Sequence, residues 1–217
     1  MSVGRRDCQN QKRQEMETKL STEDRKCIEE SIRQKYASVS KSPEGLFTYP
    51  TGQAGIKALK YDPKIIQNLP ETALASYCGV GNPFSLGPIH EGEIVLDIGC
   101  GGGVDTFIAA MMVGPKGRAV GIDTVPEMLK RAEKNLRQIP LHNVAFQEAS
   151  AEALPFPGDS LDVIISNGVF NLIPDKSKTI REAFRVLKPN GRLMIADQVL
   201  TGKLPEDPQK RMESWFR

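Results

Sequence analysis

The chain has 217 residues, 39% hydrophobic and 26% charged, enough for one globular domain with an extension. A formal net charge of +2 gives no case for a nucleic-acid or membrane partner, and no apolar run approaches membrane-spanning length. Cys8, Cys27, Cys78 and Cys100 are widely spaced, with no Cys-x-x-Cys pair, which argues against a zinc site or a disulfide framework and for a reducing, cytoplasmic setting.

Met1-Ser-Val-Gly-Arg-Arg6 has no apolar stretch behind it, so it does not read as a signal peptide. Residues 1–20 are polar and mixed in charge, and read as a mobile arm. Ser21-Thr-Glu-Asp24 reads as a helix start, with Ser21 or Thr22 as cap and acids in the first turn. Ile28, Ile32, Tyr36 and Val39 then recur at helical spacing, so an amphipathic helix is expected to pack over the main domain. Lys41 to Pro70 is rich in turn signals, with a short helix from about Thr51 to Leu59. A lid or substrate-side cap is expected there rather than sheet. Leu69 to Cys78 reads as a short helix or turn. Residues 21–78 thus form an expected cap, and 79–217 the main domain.

The stretch Glu93-Ile-Val-Leu-Asp-Ile-Gly-Cys-Gly-Gly-Gly-Val-Asp105 organises that domain. Ile94-Val95-Leu96 is a short β-branched run, read as a strand buried on both faces. It breaks into Gly99, Gly101, Gly102 and Gly103, and Thr106 to Val113 follows as a buried helix stopped by Gly114-Pro115. Glycines let backbone approach a ligand closely, and a helix N-terminus offers free N–H groups. A dinucleotide fingerprint requires Gly or Ala where Val104 stands, and no Gly-Lys-Ser/Thr follows to make a P-loop. The pattern is instead Asp97-x-Gly99-x-Gly101-x-Gly103. An acid there repels a pyrophosphate and suits a cationic ligand such as S-adenosylmethionine. Roughly 20 residues further on, Val120-Gly-Ile-Asp123 ends a second strand in a carboxylate that can accept both ribose hydroxyls.

Arg118 to Asp123 is that second strand, followed by a helix over Val125 to Leu136 with Pro126 in its first turn. Asn143 to Glu148 is the third strand. Leu154 to Asp159 is a loop, and Leu161 to Ser166 is the fourth strand. Asn167 sits at its carboxyl end, where open α/β sheets bind ligands. Lys176 to Leu187 is helical, Lys188-Pro-Asn-Gly191 turns, and Arg192 to Asp197 is the fifth strand. Strands alternating with helices predict an α/β, Rossmann-like doubly wound sheet, mainly parallel.

From about Gly79 to Val199 the chain resembles a class I S-adenosylmethionine-dependent methyltransferase, and more narrowly the arsenite methyltransferase group. The resemblance rests on Gly81-Asn-Pro83, Val95 to Asp105, Val113-Gly-Pro-Lys-Gly117, Pro126-Glu-Met-Leu129, Asp162-Val-Ile-Ile-Ser-Asn167 and Arg181 to Arg192. It implies S-adenosylmethionine as cofactor and a small-molecule methyl acceptor. It implies a cofactor site drawn from Asp97, Gly99, Cys100, Gly101, Gly103, Asp105, Asp123, Thr124, Met128, Ala151, Glu152 and Asn167. In the family, Met128 would touch adenine, Ala151 and Glu152 would read its edge, and Tyr36 would help cover the cofactor. Asn82, Asn167 and Asn171 are the expected polar groups holding cofactor or substrate, and Asn82, Asn167 and Tyr36 are the candidates for a catalytic role. His90 and His142 fall before strands, at the wrong end of the sheet, so no general base stands out. Arsenite is thiophilic and wants converging cysteines. Family cysteine positions are taken here by Val80 and Gly168. The resemblance therefore carries over the cofactor site and not the arsenic site, and no metal site is expected.

About 20 residues follow the fifth strand. Class I methyltransferases usually end in a further helix and an antiparallel hairpin, so a C-terminally short domain is expected, with the fifth strand as an edge and a helix near Glu213-Ser-Trp-Phe-Arg217. Three readings follow: an active small-molecule methyltransferase, a non-catalytic binding or regulatory relative, and a nicotinamide-dependent oxidoreductase. Asp97 and Val104 speak against the last.

Overall fold

The computed structural model describes residues 21–199; the arm at 1–20 and the tail after Val199, including the expected helix near Trp215, lie outside the described residues. The sheet has strands β1 (Ile94–Ile98), β2 (Arg118–Asp123), β3 (Val144–Glu148), β4 (Leu161–Asn167) and β5 (Leu187–Ala196) in the order β3-β2-β1-β4-β5. Every pairing among them is parallel, so the expected sheet is present and its described strands are wholly parallel. Chain order reverses between β1 and β4, and ligands of such sheets bind beyond the carboxyl ends of the strands at that point.

Side chains alternate across a strand, so each face of this sheet has its own core. Leu96, Ile98 and Ile164 point toward Ala183 and Val186 of helix α7 (Lys176–Val186). Val95, Val163 and Ile165 point the other way, toward Ala109 and Val113 of helix α5 (Val104–Val113). Both faces are dry, which is why these strands read as continuous apolar runs. Each such side chain, fully buried, contributes about 1.5–3 kcal/mol.

Helix α1 (Thr22–Val39) starts at Ser21, whose hydroxyl accepts from the Asp24 N–H while the Asp24 carboxylate accepts from the Ser21 N–H, a capping box. Its Val39 is buried with Val125 and Met128, the latter on helix α6 (Pro126–Leu136), and Tyr36, Phe47 and Cys78 pack around them. Three short helices follow: α2 (Gly52–Ala58), α3 (Pro63–Ile66) and α4 (Glu71–Ala75). Their region is not a loose lid. Ile56, Tyr61, Leu69, Leu74 and Tyr77 share one core with Val104, Phe107 and Ile108 of α5, which fixes this layer to the domain.

The expected turn at Lys188–Gly191 needs correction. β5 begins at Leu187, opposite Leu161, and resumes at Arg192 opposite Val163. The residues between are an outward bulge within the strand, with Asn190 at φ 65°. Among the described residues β5 pairs only with β4 and forms an edge.

Candidate functional site

A cavity of about 650 Å³ opens at the carboxyl ends of β1, β2 and β4. That volume suits a ligand of nucleoside size or larger. Its floor is Ile98, Gly99, Gly101, Ile122 and Asp123; one side is Val125, Met128 and Ala149 to Glu152; the other is Asn167 to Val169 and Leu172 to Pro174. Helix α1 closes the top with Lys26, Glu29, Arg33 and Tyr36. None of residues 41–70 lines it, so α1 covers the cleft where the turn-rich segment was expected to.

Of the expected cofactor residues, Gly99, Gly101, Asp123, Thr124, Met128, Ala151, Glu152 and Asn167 meet at this cavity, and Tyr36 with them. Asp123 ends β2. Its Oδ2 accepts from the Gly101 N–H at 3.0 Å and its Oδ1 from the Val125 N–H at 2.9 Å, so it ties the glycine loop to α6. Burial pushes its pKa up, against the pull of those N–H groups. Gly101 has φ 52°, and a Cβ built there meets nothing within 4 Å, so the loop turns a bare backbone cradle toward the cavity. The apolar floor, this cradle and two carboxylates fit an adenosine-bearing cation. Gly101→Ala puts a methyl into the cradle and costs about 1–2 kcal/mol in the left-handed backbone region. We expect it to lower the melting temperature by about 2–8 °C but to weaken S-adenosylhomocysteine binding more than about tenfold, as read by thermal melts and calorimetry.

Five expected residues are placed elsewhere. Asp97 is 3% exposed and accepts from the Thr106 hydroxyl at 2.7 Å, so it holds the start of α5 from below. Cys100 is buried against Gly121, away from the cavity lining, and Gly103 packs under the Phe107 and Phe146 rings. Asp105 accepts from the Tyr61 hydroxyl at 2.8 Å and from Asn167 Nδ2 at 2.9 Å. Burial raises the pKa of both Asp97 and Asp105, and Asp105 adds repulsion at Asp97. Asn82 caps a 3-10 turn at Pro83–Leu86 through its Oδ1 and donates to the Lys60 carbonyl. It serves the local chain and not the cavity.

Asn167 lines the cavity, but its amide is already engaged. Oδ1 accepts from the Val80 and Gly81 N–H groups at 2.9 and 3.0 Å. Nδ2 donates to the Gly81 carbonyl and to Asp105, and lies 3.1 Å from both the Tyr61 and Tyr77 hydroxyls. It pins the 79–82 segment over β4. Asn171, singled out with it, has a buried Oδ1 without a partner among the described residues. Val80 and Gly168 stand side by side: a Cβ on Gly168 would lie 3.3 Å from Val80 Cγ1. Cys78 is the one thiol at the cavity among the described residues, and burial together with the Asp123 and Asp105 carboxylates pushes it up to about 12. It is a neutral thiol at ordinary pH.

Sequence reasoning missed Arg25, Val169 and the Leu172–Pro174 wall. Arg25 donates to Glu152 Oε2 at 2.6 Å. Only the Ile-Pro pair at 173–174, a turn signal just past a strand end, offered any pointer.

The sequence matches the methyltransferase domain family over residues 89–217. The chain belongs to the class I S-adenosylmethionine-dependent methyltransferases. The chain is 34% identical over 212 residues to the arsenite methyltransferase of Halobacterium salinarum, a match covering 91% of this chain and 54% of that protein. It is 43% identical over 111 residues to the ubiquinone/menaquinone biosynthesis C-methyltransferase UbiE of Enterobacter sp., covering 50% of this chain and 44% of that one. Among solved structures it resembles CrArsM, an arsenic(III) S-adenosylmethionine methyltransferase from Chlamydomonas reinhardtii, with TM-score 0.55 and 30% identity over 73% of this chain and 52% of that one. The chain spans about half the length of the arsenite methyltransferases it matches.

Proposed function

We propose that this chain binds S-adenosylmethionine in the cavity under α1 and transfers its methyl group to a small-molecule acceptor. The observation that carries this is the joining of the Gly101 cradle to Asp123 on an apolar floor at the switch point of the sheet. Asp123 would hold the ribose, Met128 and Ala151 the adenine faces, and Glu152 the adenine edge. The bound cofactor supplies the activated methyl and its leaving group. The chain then has to align the acceptor and exclude water. Tyr36 on α1, with Phe47 packed behind it at 6.4 Å between ring centres, supports the second task. Asn167 supports the first by holding the 79–82 segment at the cavity edge.

The donor set favours an acceptor other than arsenite. Soft arsenic wants several thiolates, and Cys78 alone reaches the cavity among the described residues, in its neutral form. Val80 and Gly168 place aliphatic and bare backbone surface where thiols would converge. The described cysteines are free thiols, which fits a reducing, cytoplasmic setting. No described helix is long and apolar enough to cross a membrane.

The test is transfer of a labelled methyl from S-adenosylmethionine to a panel of small amines, phenols, thiols and arsenite. Label in an organic acceptor bears the reading out. Cofactor binding with no transfer to any acceptor would move the chain to the non-catalytic, binding class.

A further inference from the structure

Glu152 joins three segments that are remote in sequence. Its own N–H donates to Ser150 Oγ in the loop after β3. Its Oε1 accepts from the Asp175 N–H at 3.1 Å, at the cap of α7. Its Oε2 accepts from Arg25 Nη1 at 2.6 Å, from the first turn of α1. Fully exposed ion pairs carry little. This one is different, because the Glu152 side chain is 11% exposed and the Arg25 side chain 33%. Glu29, one turn along α1, lies 3.9 Å from Arg25 and helps to direct it. Each Glu152 oxygen takes one of these bonds and keeps capacity for a further donor, and Glu152 lines the cavity.

We propose that Arg25 is a positioning residue of the cofactor site, which fixes the Glu152 carboxylate for the exocyclic amine of adenine and couples that recognition to the docking of α1 across the cleft. The proposal rests on the reading of Glu152 as the adenine carboxylate. A glutamate on a loop has several rotatable bonds, and freezing it before the ligand arrives spares the cost on binding. Arg25 Nη1 holds one carboxylate oxygen while the Asp175 N–H holds the other, so the two donors together fix the carboxylate plane, and a lysine, which has no planar fork, would hold its oxygen less directionally. The same bond holds α1, which supplies the cavity's top from outside the core α/β domain. Occupancy of the adenine site and closure of α1 then become one event.

The experiment titrates the full chain and its Arg25→Ala, Arg25→Lys and Glu152→Gln variants with S-adenosylhomocysteine and with S-inosylhomocysteine, in which an oxo group replaces the adenine amine. Amide exchange of residues 22–39 is followed with and without ligand. The wild type is expected to prefer the adenine ligand by about tenfold or more, the worth of a hydrogen bond to a charged group. Arg25→Ala should lose about tenfold in adenine affinity and bring the preference below about threefold, with Arg25→Lys between them. Ligand should protect residues 22–39 in the wild type and less so in Arg25→Ala. Equal losses for both ligands in Arg25→Ala would make Arg25 a mere helix anchor and overturn the proposal. Binding by the wild type without preference would overturn it too, while cofactor binding itself stood. Binding of neither ligand by the wild type would bring down the cofactor reading and this proposal together.

Discussion

Asp123→Ala is expected to weaken S-adenosylmethionine and S-adenosylhomocysteine binding by at least about 100-fold, because two hydrogen bonds to a charged acceptor are worth about 1.5–3 kcal/mol each. Two losses combine. The ribose loses the carboxylate that would hold its hydroxyls, and the Gly101 and Val125 N–H groups lose their shared acceptor. Asp123→Asn is a sharper probe. Its amide retains one acceptor but turns a donor toward one of two N–H groups, so the loop is disturbed even though size is conserved. Calorimetry on both variants measures the loss, and thermal melts of the unliganded proteins separate loop damage from lost ligand contacts. Wild-type affinity in Asp123→Ala would remove Asp123 from the site.

Asn167 carries the second large expectation, and it concerns stability first. Asn167→Ala leaves the Val80 and Gly81 N–H groups and the Asp105 carboxylate without their amide partner. Each unsatisfied buried group costs about 1–3 kcal/mol, so a loss of about 2–5 kcal/mol is expected. That corresponds to a fall in melting temperature of about 5–15 °C for a chain of this size. Asn167→Asp should be worse at neutral pH and recover in acid. It keeps the oxygen facing Val80 and Gly81 but sets a second carboxylate against Asp105, where Nδ2 now lies 2.9 Å away. Two such groups share a proton, so the pair's second ionisation is raised well above the unfolded carboxylate range. The folded state then binds more protons than the unfolded state, and stability falls as pH rises through the folded-state range. Denaturant melts of both variants between pH 4 and 8 check the sign. A variant whose stability rises with pH there would contradict the network.

Much of this was legible in the chain because it depends on near neighbours. The strand Ile94–Ile98, the glycine loop and the Pro126 helix are set by runs of apolar residues, φ-permissive positions and a proline at a helix start. Asp123 was visible because its distance from the glycines is fixed by one strand–helix–strand unit. The partners of Asn167 were not legible. Tyr61 and Asp105 reach it across 106 and 62 positions, and nothing local to Asn167 signals them. The same holds for Arg25 and Glu152, which are 127 positions apart. Asp97 was read as facing a ligand, yet the alternation of its strand turns it toward α5 with Val95. The bulge at Lys188–Gly191 was read as a plain turn because Pro-Asn-Gly signals reversal. Pairing of Leu187 with Leu161 carries the strand past it.

The most direct test of the account is the structure of the chain with S-adenosylhomocysteine bound. The ribose is expected at Asp123, the adenine between Met128 and Ala151 with its amine toward Glu152, and the homocysteine over the Gly99–Gly101 cradle beneath Tyr36. A ligand held elsewhere, with the cavity under α1 left without it, would contradict the account.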